Sequence, residues 1–507
     1  MSGLARLSTT TGKIWKEILQ ERPPAGILAR RPYYRWLVVG TVCIGAFMGQ
    51  LDASIAQLVL PVLERDFHRH LSAISWVAIA YTLTLAIMLP VFGRVADLYG
   101  RKMLYTVGFL VFIVGSGLCG LASNLPFLVG FRVFQALGAA LLQTNSIAIV
   151  VTAAGERDRG RAIGLQAAAQ AVGLSTGPAL GGFLIHALSW RWVFWINVPF
   201  GLIGALMGWF VLPQTIAYVE NRRFDWRGAL LLAPALAALV LAIDQGDAWG
   251  ALSPAFLCCT IAPALLLPLF LWWERRQQAP LLDPGLFRRH AFWAGNLAGL
   301  LSYAMLFGTF FLMPFVFERG YHEGPLAAGL RLMVVPVGLA LLSPLSGALY
   351  DRVGPRPLTG AGMALSLCAF IWLALAMGPA TASLLPVTAA LGLFGIGQGL
   401  FTSPNNSSVM AAAPLTDVGQ AGGILNVTRS FGTSVGVAAT AAVLAWRLGI
   451  ITGRTGDTLH ASVPALLTAS RYVLAMFAIF ALVAGALSWL RPHGEKNAVA
   501  AAEAAVL

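Results

Sequence analysis

The chain is 507 residues long, 58% of them hydrophobic and only 11% charged, with a mean hydropathy of +0.76 and a formal net charge of +13. Soluble domains are about 25% charged, and a hydrated surface cannot hide this much apolar material, so a soluble enzyme, a disordered regulator and a secreted disulfide scaffold are excluded. In a membrane chain the basic excess reads first as topology, with Lys and Arg gathered in cytoplasmic loops, and not as a nucleic-acid surface.

Residues 1–36 form a basic arm (Lys13, Lys16, Arg22, Arg30, Arg31 and Arg35 among them) with no apolar run or cleavage site of a signal peptide. A short helix is expected over Ile14–Leu19. Fourteen apolar segments follow, at 37–62, 73–92, 103–122, 126–152, 161–187, 192–213, 228–245, 251–273, 292–316, 327–350, 358–377, 382–411, 419–446 and 465–490. Most are near the roughly 20 residues that a bilayer-spanning helix requires. They predict an all-α membrane protein with about 14 transmembrane helices. The grouping is an N-terminal six-helix bundle at 37–213, two additional spans with linkers at 214–290, a C-terminal six-helix bundle at 291–490, and a polar tail at 491–507. With the N-terminus inside, 24 Lys and Arg fall in the arm, alternate loops and tail, and six in the opposite loops. That asymmetry puts both termini in the cytoplasm. Cys43, Cys119, Cys258, Cys259 and Cys368 lie in apolar runs without ligand spacing and read as core residues, with no metal site. Scarce lysine beside abundant Ala and Gly fits a GC-rich bacterial genome, and hence the bacterial cytoplasmic membrane.

Asp52 sits in the middle of the first segment, where a carboxylate costs about 2.5–3.5 kcal/mol on insertion scales. It reads either as a proton carrier facing a central cavity or as a structural acid tied to dipoles and hydroxyls. Asp244 and Asp247, at the end of the seventh segment, read as loop residues. Arg132, Gln135, Ala139 and Gln143 share one face of the fourth segment. Gln166, Gln170, Gly173 and Gly177 share a face of the fifth, followed by Pro178, Gly181 and Gly182, a run suited to close packing and bending. Gln50 and Gln57 flank Asp52. Polar stripes recur late in the chain at Gln398, Thr402 and Asn405, and at Asn426, Arg429 and Thr433. With Trp76, Tyr81 and Tyr303 as aromatic walls, these residues outline a substrate cavity. Some of them serve equally well as interhelical hydrogen bonds.

An internal repeat relates the halves. Gly93-Arg-Val-Ala-Asp97-Leu-Tyr-Gly100-Arg101-Lys102 matches Gly347-Ala-Leu-Tyr-Asp351-Arg352-Val-Gly354-Pro-Arg356 at an offset of 254, and Gly164, Gly173 and Gly177 match Gly423, Gly432 and Gly436 at 259. Parallel repeats of this kind build transporters. In the loop, Asp97 can cap a helix of the other half, and Arg101 and Lys102 can pair with acids or lipid headgroups. Together with Asp351 and Arg352 this makes a cytoplasmic latch. No phosphate-binding loop, zinc-ligand pair or nucleophile–base set is present. ATP is therefore not the expected energy source and no cofactor is expected; a proton carrier at Asp52 would draw on a proton gradient.

The pattern at 93–102 resembles the signature loop of the major facilitator superfamily. The fourteen segments, with Leu51-Asp52-Ala-Ser54-Ile-Ala-Gln57-Leu-Val-Leu-Pro61 in the first, resemble its drug:proton antiporter branch of the EmrB/QacA type, over roughly residues 37–490. Leu98 replaces a basic residue of the loop signature, and Ser54 and Gln57 replace Thr and Asn. The resemblance implies the major facilitator fold of two six-helix bundles plus two extra helices, and export of amphipathic or cationic molecules by alternating access. It assigns proton coupling to Asp52 and Arg132, and the antiporter motif to Gly173, Gly177, Pro178, Gly181 and Gly182. A cationic substrate and a proton would then compete at Asp52. The alternative is an exporter of one physiological substrate, such as a lipid, siderophore or self-made antibiotic. Expected partners are the small-molecule substrate, protons and membrane lipids, without nucleic acid. The chain is expected to be a monomer, and its arm reads as a docking point for a periplasmic adaptor's partner or for anionic lipid, or equally as basic residues that only set topology.

Overall fold

The computed structural model describes residues 23–31, 33–214, 225–250, 253–277, 284–378, 383–413, 418–453 and 461–489. The predicted helix at Ile14–Leu19 and the tail lie outside the described residues. Fourteen helices are long and apolar enough to cross a bilayer, and they follow the predicted segments: α1 Tyr34–Leu58, α2 Leu71–Gly93, α3 Arg101–Leu121, α4 Leu125–Ala154, α5 Leu165–Ala187, α6 Trp192–Val211, α7 Trp226–Asp244, α8 Pro254–Glu274, α9 His290–Gly320, α10 Pro325–Tyr350, α11 Pro355–Ala376, α12 Leu385–Ala411, α13 Ala421–Thr452 and α14 Val463–Trp489. There is no strand among the described residues. Large apolar side chains such as Leu230, Leu265, Leu345 and Leu375 stand exposed around the outside, as expected where lipid is the solvent.

The helical run Leu125–Ala187 is continuous over 63 residues, roughly 95 Å if straight. It is not straight. Gln166 Nε2 donates to Ser146 Oγ at 2.9 Å, although twenty residues of straight helix would hold them ~30 Å apart. The run folds back between these positions, so α4 and α5 are antiparallel neighbours.

The repeat is structural. Gly100 joins α2 to α3 with φ 100°, and Gly354 joins α10 to α11 with φ 79°. Both lie where a Cβ is strained. His68 and His322, also 254 residues apart, are the two described non-glycine residues with positive φ. A Cβ on Gly108 would meet the Gly138 carbonyl oxygen at 3.1 Å, and one on the equivalent Gly362 would meet that of Gly397 at 2.6 Å, so α3/α4 and α11/α12 cross in the same way. Gly173 and Gly177 bring α5 onto α1 at Phe47 and Ser54, while Gly432 and Gly436 bring α13 onto α9 at Leu300 and Ala304. Small residues allow such backbone approach where no hydrophobic force between helices exists.

The halves meet through the same motif. Gly182 packs on Pro325 and Leu326 of α10, and Gly329 of α10 packs on the Pro178 carbonyl. Ser434 of α13 donates to Thr82 of α2 at 2.8 Å. Helix α7 lies against α2 and α13. Asp244, expected in a loop, is instead helical and buried, and accepts from Ser75 Oγ at 3.3 Å. A neighbouring hydroxyl lets the helix carry this acid into the bundle.

Gly100→Ala and Gly354→Ala are each expected to lower stability by about 1–3 kcal/mol. Gly40→Ala in α1, with open space around it, should change little. Thermal unfolding of the purified protein in detergent reads all three.

Candidate functional site

Asp52 is fully buried, with 0% of its surface exposed. Its Oδ2 accepts from Arg132 Nη1 at 2.7 Å, and its Oδ1 accepts from Gln135 Nε2 and Asn197 Nδ2, both at 2.9 Å. Arg132, 1% exposed, also donates from Nη1 to Gln135 Oε1 at 2.6 Å and from Nε to the Val77 carbonyl at 3.1 Å. Gln135 Nε2 reaches Ser116 Oγ at 2.7 Å. Five helices, α1, α2, α3, α4 and α6, are thereby tied to one ion pair. The oxygens of Asp52 accept from every partner, the pattern of an ionised carboxylate. Arg132 and Gln135 were placed on one helical face by their spacing, one turn apart. Asn197 and Ser116 were missed, and a lone amide inside the apolar run Trp192–Val211 was the available signal for the first.

Beside this pair, between the halves, lies a partly open cleft. Gln50, Tyr81, Gln143 and Gln170 line it from one half, and Tyr303 and Arg429 from the other. Tyr81 belongs to both features, because the Arg132 guanidinium stands 4.1 Å from its ring centroid. Asp52 itself is off the wall. Its neighbour Ala53 lines the cleft, while the carboxylate turns into the bundle toward its three donors, so the expected cavity-facing acid is not seen in this conformation.

Six predicted cavity residues also lie off the wall. Gln166 bonds Ser146, Gln398 accepts from Ser302 Oγ at 2.5 Å, and Asn405 donates to the Gly295 carbonyl at 3.1 Å. Gln57 is buried in α1, Trp76 packs on the apolar core, and Asn426 is half-buried on α13. A polar group inside a bundle is satisfied first by the helix it touches.

At the end carrying the basic loops, Lys102 is buried and donates from Nζ to the Leu212 carbonyl at 2.6 Å. It thus serves the C-terminus of α6. Tyr34 Oη donates to the Val211 carbonyl at 2.8 Å, and Ala25 N to the Phe210 carbonyl at 2.9 Å. Three carbonyls that a helix end leaves open are met by three separate donors. Gly93 packs near Thr144, Arg101 is half-buried and Arg352 is exposed. The side chains of Asp97 and Asp351 lie outside the described residues.

At the opposite end, Arg319 Nη2 stands 3.1 Å from Glu64 Oε2 and donates to the Pro61 carbonyl at 3.1 Å, joining the halves. Both carboxylates there are buried, Glu64 from α1's side and Glu318 from α9's. The segments Glu64-Arg65-Asp66-Phe67-His68 and Glu318-Arg319-Gly320-Tyr321-His322 are again 254 residues apart, so this joint sits on the repeat axis.

Two matched helical halves around a polar cleft, with an ion pair inside one of them, define a multi-pass membrane transporter and not an enzyme. The chain belongs to the major facilitator superfamily, whose family model matches residues 42–437. It is 32% identical over 404 residues to the riboflavin transporter RibZ of Clostridioides difficile, covering 80% of this chain and 87% of that protein. It is 34% identical over 411 residues to the multidrug resistance protein Stp of Mycobacterium tuberculosis, covering 79% and 74%. A bacterial homologue of the human lysosomal transporter Spinster, solved inward-facing and unoccupied, superposes with a TM-score of 0.67 at 16% identity, covering 91% of this chain and 97% of that one. At that identity the likeness concerns the fold.

Removing one member of a buried pair leaves an uncompensated charge, at a cost of about 3–5 kcal/mol. Asp52→Asn and Arg132→Gln are each expected to lower the unfolding temperature more than half as much as the double variant does. Additive losses would contradict the pairing.

Proposed function

We propose that this transporter is a proton-coupled exporter of amphipathic small molecules, working by alternating access in a bacterial cytoplasmic membrane with both termini in the cytoplasm. One observation carries the reading: Arg132 pairs with Asp52 on one side and stacks on Tyr81, a cavity residue, on the other. A proton arriving at Asp52 takes the place of the guanidinium, and the released Arg132 side chain crowds the Tyr81 wall against which a ligand would sit. A ligand seated against Tyr81 acts on the pair in reverse. Proton and substrate therefore exclude one another through Arg132, and not by sharing the carboxylate as expected from the sequence.

Alternating access requires that the halves rock about their glycine seams. The Glu64–Arg319 joint closes the end away from the basic loops, and opening that end breaks it. The resemblance to Stp, a multidrug resistance protein, supports export. The resemblance to RibZ supports the second reading, a transporter dedicated to one physiological substrate. The driving force suffices. One charge crossing 100 mV supplies about 2.3 kcal/mol, so about 150 mV supplies about 3.5 kcal/mol, roughly 300-fold in concentration at 1.4 kcal/mol per decade. That holds for one proton against a neutral substrate. For a monovalent cation the voltage contribution cancels, and for a monovalent anion it doubles.

Substrate-driven proton release from proteoliposomes tests the reading. Asp52→Asn is expected to abolish coupled proton release while retaining part of the substrate binding. Unchanged coupling in Asp52→Asn would put the proton site elsewhere.

A further inference from the structure

We propose that the cleft selects planar, acceptor-rich aromatic molecules that are neutral or anionic, and disfavours cations. This rests on the reading of the cleft as the transport site. Three features of its wall lead there.

The first is charge. Among the described lining residues Arg429 is the one ionised group, and no ion pair to it occurs among the described residues. The acid that could have balanced it, Asp52, is turned away and already neutralised by Arg132. A ligand in the cleft therefore meets a net positive wall.

The second is the state of the aromatic residues. A tyrosine ring is a natural seat for an ammonium group, through its negative face. Here both cleft tyrosines already carry a guanidinium: Arg132 lies 4.1 Å from the Tyr81 centroid, and Arg429 lies 4.8 Å from that of Tyr303. A cationic ligand on Tyr303 would approach an unpaired like charge across one aromatic thickness, and one on Tyr81 would find a face of that ring already taken. A flat ring bearing carbonyl or carboxylate oxygens meets the opposite situation, stacking on a ring whose electrons are drawn toward arginine, with guanidinium and amide donors at its edge.

The third is the pseudo-symmetry. Gln170 and Arg429 are related by the same 259-residue offset as Gly173 and Gly432, and both line the cleft. Equivalent positions on the two halves thus present a neutral amide and a fixed cation.

Three probes on one ring system decide the matter: anthraquinone-2-carboxylate, its uncharged carboxamide, and an anthraquinone bearing a trimethylammonium group. Binding is measured on the full-length purified protein in detergent, without a gradient, so proton coupling does not enter. The carboxylate is expected to bind about tenfold more tightly than the cation, with the amide between them. Arg429→Gln should bring carboxylate and cation to similar affinities while sparing the amide, and Arg429→Lys should restore the preference for the anion. Equal or tighter binding of the cation to the wild-type protein would overturn the selectivity yet leave the cleft as the binding site. A preference for the anion that survives Arg429→Gln would overturn the assignment to Arg429. Failure of all three probes to bind would overturn both this inference and the cleft reading. Loss of coupling in Asp52→Asn with binding intact touches neither.

Discussion

A carboxylate and a guanidinium 2.7 Å apart inside an apolar bundle constrain everything around them. Neither ion can stay there alone, since the bilayer offers no water to replace a lost partner. The N-terminal half is accordingly built to keep them satisfied. Helix α4 supplies Arg132 and, one turn on, Gln135; α6 supplies Asn197; α3 supplies Ser116; α2 supplies the Val77 carbonyl. On the proposed reading, protonating Asp52 requires Arg132 to leave for another partner, so the pair is exchanged as a unit. That is the property a coupled transporter needs from a buried acid.

The two halves share a backbone plan and divide the chemistry. Their glycine crossings, the positive-φ junctions at Gly100 and Gly354 and the left-handed His68 and His322 coincide under the repeat. Their charges do not. One half holds the buried pair; the other presents a buried phenylalanine-rich α9 and a single cleft arginine. Symmetric packing gives two bodies that can rock on equivalent seams. On the proposed reading, asymmetric charge makes their motion respond to protons on one side and to ligand on the other, with Tyr81 in contact with both the pair and the cleft.

Much of this was legible in the sequence because the bilayer leaves little choice. Fourteen helices followed from run length, and Asp52 and Arg132 stood out because so few charges lie within spans. Helical spacing marked Gln143, Gln170 and Arg429, and residue type marked Gln50, Tyr81 and Tyr303, all of which line the cleft, but spacing also marked Gln166, Gln398 and Asn405, which do not. Spacing tells which residues share a face and not which neighbour that face meets. For the same reason the partner of Asp52 on α6 and that of Gln135 on α3 were not identified, nor were the pairing of Lys102 with the end of α6, the burial of Asp244 against Ser75 and the joint between Glu64 and Arg319. Each joins residues distant in sequence, and each is decided by where helices cross.

The central claim is that Asp52 changes protonation when ligand occupies the cleft. Ligand-induced infrared difference spectroscopy reads this directly through the carbonyl stretch of a protonated carboxylic acid. At a pH low enough to protonate Asp52 in the ligand-free protein, a protonated-acid band that is lost on ligand addition in the wild-type protein, and absent altogether in Asp52→Asn, is the expected result. The same band change persisting in Asp52→Asn would contradict the account, because another group would then be carrying the proton.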